Sequence, residues 1–244
     1  MAVLLAILLV WWIYSRFFNE RGDIYFPSPS YAFEQTLSNS QRVIAGFQVT
    51  ITEFLAGFAL SIAIGVITAL VLSEVRFVRQ AVLPTLLLFY SVPRAILAPL
   101  FLVWFGMTTW SIALYVSWFG FFPVFISSLT GFSQVPEELK QLGGATGASR
   151  WQFIRKVKIW SALPYTVSGI KVAIPAAIEG AIIAEFIATG QGTGYIITNS
   201  LSLLEEGLMI GVVILLIVFS AVMFKTFEIL IDFLVPVSVE ELRN

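Results

Sequence analysis

The sequence contains several uninterrupted apolar runs of about twenty residues, the length that a helix rising 1.5 Å per residue needs to cross roughly 30 Å of hydrocarbon. They lie at about 2–18, 54–73, 81–105, 108–132, 162–188 and 207–235. No water reaches the bilayer core, so a spanning segment must satisfy its own backbone, which leaves helices and closed barrels. Barrel strands alternate apolar and polar residues, and these runs do not. Composition agrees: 58% of the residues are hydrophobic and 12% charged, where a soluble domain carries about 25% charged residues. The reading is an all-α integral membrane protein with six transmembrane helices, forming a single transmembrane domain over residues 1–244.

The same composition excludes several chemistries. With no Cys and no His, the chain has no disulfide, no thiolate nucleophile, no imidazole base and no Cys/His zinc site. Its 14 basic and 15 acidic residues nearly balance, so nothing indicates a nucleic-acid surface.

The run at 2–18 lacks a basic leader and a small-residue cleavage site and ends in Trp11, Trp12 and Tyr14, so it reads as a retained first span. Residues 19–45 are polar and read as an extramembrane connection, with the prolines of Tyr25-Phe-Pro-Ser-Pro-Ser30 opposing a helix there. The other breaks are the basic stretch 73–80, an uncharged turn at 106–109, the long basic stretch 133–161 and the polar stretch 191–206. Six spans place both termini, the 73–80 loop and the 133–161 loop on one side. That side carries Arg76, Arg79, Lys140, Arg150, Arg155, Lys156, Lys158 and Arg243, against Arg16, Arg21 and Arg42 on the other. The positive-inside bias then makes both termini cytoplasmic.

The loop at 133–161 reads as two short helices joined at glycines. Pro136 suits a first helical position, with Glu137 and Glu138 favourably placed in the first turn, and Gly143, Gly144 and Gly147 end the helix. Ser149-Arg-Trp-Gln152 is a capping box that opens the second helix. That helix is amphipathic: Trp151, Phe153, Ile154 and Val157 are interleaved with Arg150, Arg155, Lys156 and Lys158. Two readings fit it, an interfacial helix on anionic lipid and a helix docking on a partner protein.

Here the sequence resembles the permease subunits of bacterial binding-protein-dependent ABC importers. Gly147-Ala-Ser-Arg-Trp-Gln152 and Ala162-Leu-Pro164 match the second half of that family's cytoplasmic loop. Gln141, Leu142 and Gly143 stand where the family commonly has Glu-Ala-Ala, which makes a docking contact there neutral unless Glu138, one turn earlier, replaces it. Phe26-Pro-Ser-Pro-Ser30, Ser91-Val-Pro-Arg94 through Gly106, and Gly192-Thr-Gly-Tyr-Ile-Ile197 resemble the branch for nitrate, sulfonate, taurine and thiamine precursors.

The resemblance implies a permease of the cytoplasmic (inner) membrane working with a second copy, two cytoplasmic ATPase subunits and an extracytoplasmic solute-binding protein. It makes Glu138, Gln141, Gly147, Ala148, Ser149, Trp151 and Pro164 the ATPase-coupling residues. No cofactor is expected on this chain. ATP and magnesium belong to the partner subunits, and the sequence has no Gly-x-x-x-x-Gly-Lys-Ser/Thr phosphate loop. No catalytic or metal-binding residue is expected.

Charges inside spanning helices cost several kcal/mol, so they face a path, a partner or each other. Arg94 lies between Pro93 and Pro99, where a broken helix would expose backbone groups, as solute sites often do. It lines the translocation path, pairs with Glu179 or Glu185 as a packing feature, or marks a termination near the interface. Lys171 reads as a snorkelling residue near the cytoplasmic end of its span. Glu179 and Glu185 are six residues apart and so on different faces of one helix; Glu179 is the deeper path candidate, and Glu185 belongs near the outer mouth. The many aromatics read first as lipid-facing bulk and interface anchors, and Tyr90, Trp104 or Trp118 as a stacking platform for a planar solute on the path is the alternative. The rival class is an ion-gradient-driven secondary transporter with one of these glutamates as proton carrier.

Overall fold

The computed structural model describes residues 9–15, 27–187 and 190–234. Every regular element among them is helical: α1 (Pro29–Ser38), α2 (Ser40–Glu74), α3 (Arg76–Ser91), a 3-10 turn (Arg94–Leu97), α4 (Ala98–Phe105), α5 (Thr109–Ser133), α6 (Glu137–Ala145), α7 (Arg150–Phe153), a π-helical turn (Ile154–Lys158), α8 (Ile159–Ile187), α9 (Thr193–Ser202) and α10 (Glu206–Leu234). Of the first expected span, residues 9–15 are helical and the rest lies outside the described residues.

Three helices, α2, α5 and α10, are long and apolar enough to cross a membrane. The pair Arg79–Ser91 and Arg94–Phe105 makes a fourth if counted as one span, bent by 92°. α8 has the length, 29 residues, but carries Lys171, Glu179 and Glu185 and is not among them.

Local chemistry shifts several expected boundaries. α1 begins inside the proline-rich phrase, because Pro29 occupies the first turn, where its missing N–H is not needed, and Ser28 caps it by accepting from the Tyr31 N–H at 3.3 Å. The polar connection expected over 19–45 is therefore largely helical from Pro29 onward. Only Val75 separates α2 from α3, so the expected 73–80 loop is a single-residue break. Gly143 and Gly144 lie within α6 rather than ending it, and Pro136 stands just before its first residue as the N-cap.

The chain packs as two compact units, Met1–Thr52 with Ile182–Ala221, and Glu53–Ala181 with Val222–Asn244. In the first, Val43, Ile196, Leu208 and Val212 form a buried core with Phe47 and Ile197 against it. In the second, α5 is the central element: 72% of its apolar stretch is buried. Phe121, Phe122, Phe125, Leu129 and Phe132 of α5 pack with Ala69, Leu72 and Ala162. α2 approaches α5 along the small residues Gly57, Ser61 and Gly65, which meet Val116, Gly120 and Val124. A Cβ at Gly57 would fall 2.4 Å from that of Val116, so the two backbones are as close as small-residue helix crossings in membranes allow.

Candidate functional site

The loop that carries the strongest sequence pattern folds as expected at its second half. Ser149 accepts from the Gln152 N–H at 3.3 Å and the Gln152 side chain accepts from the Ser149 N–H at 2.9 Å, completing the capping box. The turn before it is closed by Gly147, at φ +64°, where only glycine sits without strain. This turn is exposed, and a Cβ at Gly147 would meet nothing within 4 Å. α6 lies against the segment through Gly143, whose hypothetical Cβ would be 2.8 Å from the Phe153 ring. Glu138, Gln141, Ala148, Ser149 and Trp151 are all exposed, while Pro164 is buried in α8. The second helix is a single turn of α-helix, continued by the π turn and then α8 without a break.

What fastens this segment is a residue that the sequence reading passed over. Glu74, the last residue of α2 and just beyond the apolar run, accepts a hydrogen bond from the Arg150 Nε at 2.8 Å and an ion-paired one from the Lys158 Nζ. The Arg150 Nη2 also reaches the Glu74 main-chain carbonyl at 3.2 Å. Burial pushes the Glu74 carboxyl up, but the hydrogen bonds and charges of Lys158 and Arg150 outweigh it and hold it below the usual carboxylate range. The stabilisation is therefore complete above that range and is lost only as pH falls through the lowered value. The signal available in the sequence was an acid at the negative end of an apolar helix, unfavourable there unless cations cover it.

The expected break at Arg94 is present. Val92 and Pro93 interrupt the helix, a 3-10 turn covers Arg94–Leu97, and Pro99 opens α4 in its first turn. The Tyr115 hydroxyl donates to the freed Arg94 carbonyl at 3.0 Å, and the Ser111 hydroxyl to that of Phe105 at 2.9 Å, so the interrupted backbone is satisfied from α5. The Arg94 guanidinium lies 4.4 Å from the Phe119 ring centre and 5.6 Å from that of Tyr90. None of the ion pairs among the described residues includes Arg94, so the pairing with Glu179 or Glu185 is not formed. Tyr90 is exposed and packs against Phe122 at 4.4 Å between ring centres; Glu179 is exposed on α8.

Glu185 is placed differently from its expected position at a path mouth. It is fully buried, accepting from the Thr50 hydroxyl at 2.6 Å, the Gly194 N–H at 2.7 Å and the Thr193 hydroxyl at 3.3 Å. Those bonds hold the Gly190–Gly194 turn to α2, and a Cβ at Gly192 would strike the carboxylate at 2.2 Å. The opposite fates of Glu179 and Glu185 follow from their six-residue separation. Lys171 does not simply snorkel: it donates to the Asp232 carboxylate at 2.6 Å.

A family model described as binding-protein-dependent transport system inner membrane component matches residues 61–237. The chain belongs to that family. Among its relatives are a probable ABC transporter permease protein of Haemophilus influenzae, 26% identical over 93% of this chain and 92% of the relative, and a formylaminopyrimidine transport permease protein of Halalkalibacterium halodurans, 28% identical over 78% and 76%. A riboflavin transport system permease protein of Chloroflexus aurantiacus is 29% identical over 85% and 78%. The protein is thus an integral inner-membrane permease subunit of a binding-protein-dependent ABC importer, in the branch that includes nitrate, sulfonate and taurine permeases. The findings do not favour an ion-gradient-driven secondary transporter.

Proposed function

We propose that the protein acts as one of two identical six-span permease subunits, with both termini cytoplasmic, each docking on an ATPase subunit through residues 137–158. ATP and magnesium are held by those ATPases, this chain carrying no cofactor, and an extracytoplasmic binding protein delivers the solute. The observation that carries the reading is the state of the docking segment: Trp151 is 67% exposed, beside exposed Arg155 and Lys156, on a helix held rigidly by its capping box. A large exposed aromatic on a fixed turn is the kind of anchor that partner pockets take. The path for a small organic or oxyanion solute runs past the broken helix, with Arg94 and Tyr90 on it and Glu179 facing it from α8.

The test is affinity co-purification from native membranes in mild detergent, with ATPase assay of the product. Recovery of an active ATPase with the wild type, reduced at least about tenfold by Trp151→Ala combined with Arg155→Glu, is the expected result. Recovery of the chain alone would overturn the docking role.

A further inference from the structure

The docking segment is tied to the rest of its unit in two distinct ways. At its end, the π turn runs straight into α8, so any displacement of the segment is a displacement of that helix. Its second half also grips one residue of α2 from both ends, since Arg150 opens α7, Lys158 closes the π turn, and both bind the Glu74 carboxylate. The Arg150 contact to the Glu74 carbonyl extends the grip to the α2 backbone itself.

The two cations are not equivalent. The Arg150 side chain is 68% exposed, whereas that of Lys158 is 10% exposed. An exposed pair in water contributes little, while a screened-off pair with one partner removed leaves a buried charge uncompensated. Lys158 therefore carries the tie. It also lies on the one π-helical turn among the described residues, an irregularity that is frequent at functional sites.

We propose that Glu74 is a positioning residue for transport: it couples α2 to the docking segment, so that one ATP-driven displacement of that segment moves two helices, α8 through the continuous backbone and α2 through the Glu74–Lys158 pair. This rests on the docking role given above. A helix cap alone would give α2 stability; a coupling element gives it a response to nucleotide.

The chain has no native cysteine, so single cysteines placed at exposed positions report on each helix separately. Ile67→Cys on α2 and Val172→Cys on α8, both exposed, are spin-labelled in the purified permease. The labelled permease is assembled with its ATPase in nanodiscs, and spectra are compared with ADP and with ATP plus vanadate. In the wild-type background both labels respond. In Glu74→Gln the α8 label still responds, while the α2 response falls at least about fivefold, the lower end of measured couplings between sites. Glu74→Asp, which keeps the charge, restores more than half of it. An α2 label that responds equally in Glu74→Gln overturns the proposal, as does loss of the ATPase from that variant, which would make Glu74 only a support for the docking surface. If neither label responds in the wild-type background, the docking role itself fails, and the coupling falls with it.

Discussion

Glu185 is a buried carboxyl near the end of α8 that holds a turn in place. Its oxygens accept from Thr50, Thr193 and Gly194. Glu185→Gln replaces one acceptor oxygen by an NH2 facing donors. It is expected to cost about 1–3 kcal/mol, read as a lower unfolding temperature in detergent, with ATPase recovery unchanged. From the sequence, Glu179 read as the deeper path candidate and Glu185 as a residue near the outer mouth. What separates them is the company of Thr50, 135 residues away in the chain, which no local pattern reveals. Arg94 was legible because its signal is local: Pro93 and Pro99 lie close enough together to remove neighbouring helical hydrogen bonds on both sides of it. Its partners were not, since the rings of Tyr90 and Phe119 come from the segment before the break and from α5.

The segment from α6 to α8 is legible to a similar depth. The capping box depends on residues three apart and folds as read, whereas the π turn and the fusion to α8 depend on packing and were invisible. The glycines divide the same way. Gly143 and Gly144 continue α6, because one faces the Phe153 ring and the other open space; Gly147 alone takes the left-handed conformation that ends the unit. Gly147→Val has room for its side chain but not the backbone conformation, at a cost of about 1–2 kcal/mol. Its expected effect is to reshape the turn between α6 and α7. ATPase recovery should fall while circular dichroism and the unfolding temperature of the membrane helices stay within error. Normal recovery would show that the turn's geometry does not matter for docking. The stripe Gly57, Ser61 and Gly65 was also open to a sequence reading, as small residues at four-residue spacing.

The hydropathy of the whole chain predicts six spans, and among the described residues three helices, with a bent pair as a fourth, are long and apolar enough to cross. The first run lies largely outside the described residues, and α8 carries Lys171, Glu179 and Glu185 along its 29 residues. A permease working as a pair should run in detergent, after subtraction of the micelle, at twice the 27.0 kDa of one chain. Static light scattering checks this, and a monomeric mass in nanodiscs as well as in detergent would count against the pair.

The ion pair between Lys171 and Asp232 bears on how the protein is made. A charged group inside a helix entering the bilayer from the translocon costs up to about 2.5–3.5 kcal/mol at its middle, and α8 carries Lys171 and Glu179 well within its length. Lys171 meets its counter-ion only when the last helix has left the ribosome, 61 residues later. α8 therefore settles late, with α10 as its chaperone, and a chain truncated before Asp232 should be recognised by membrane quality control as an insertion failure.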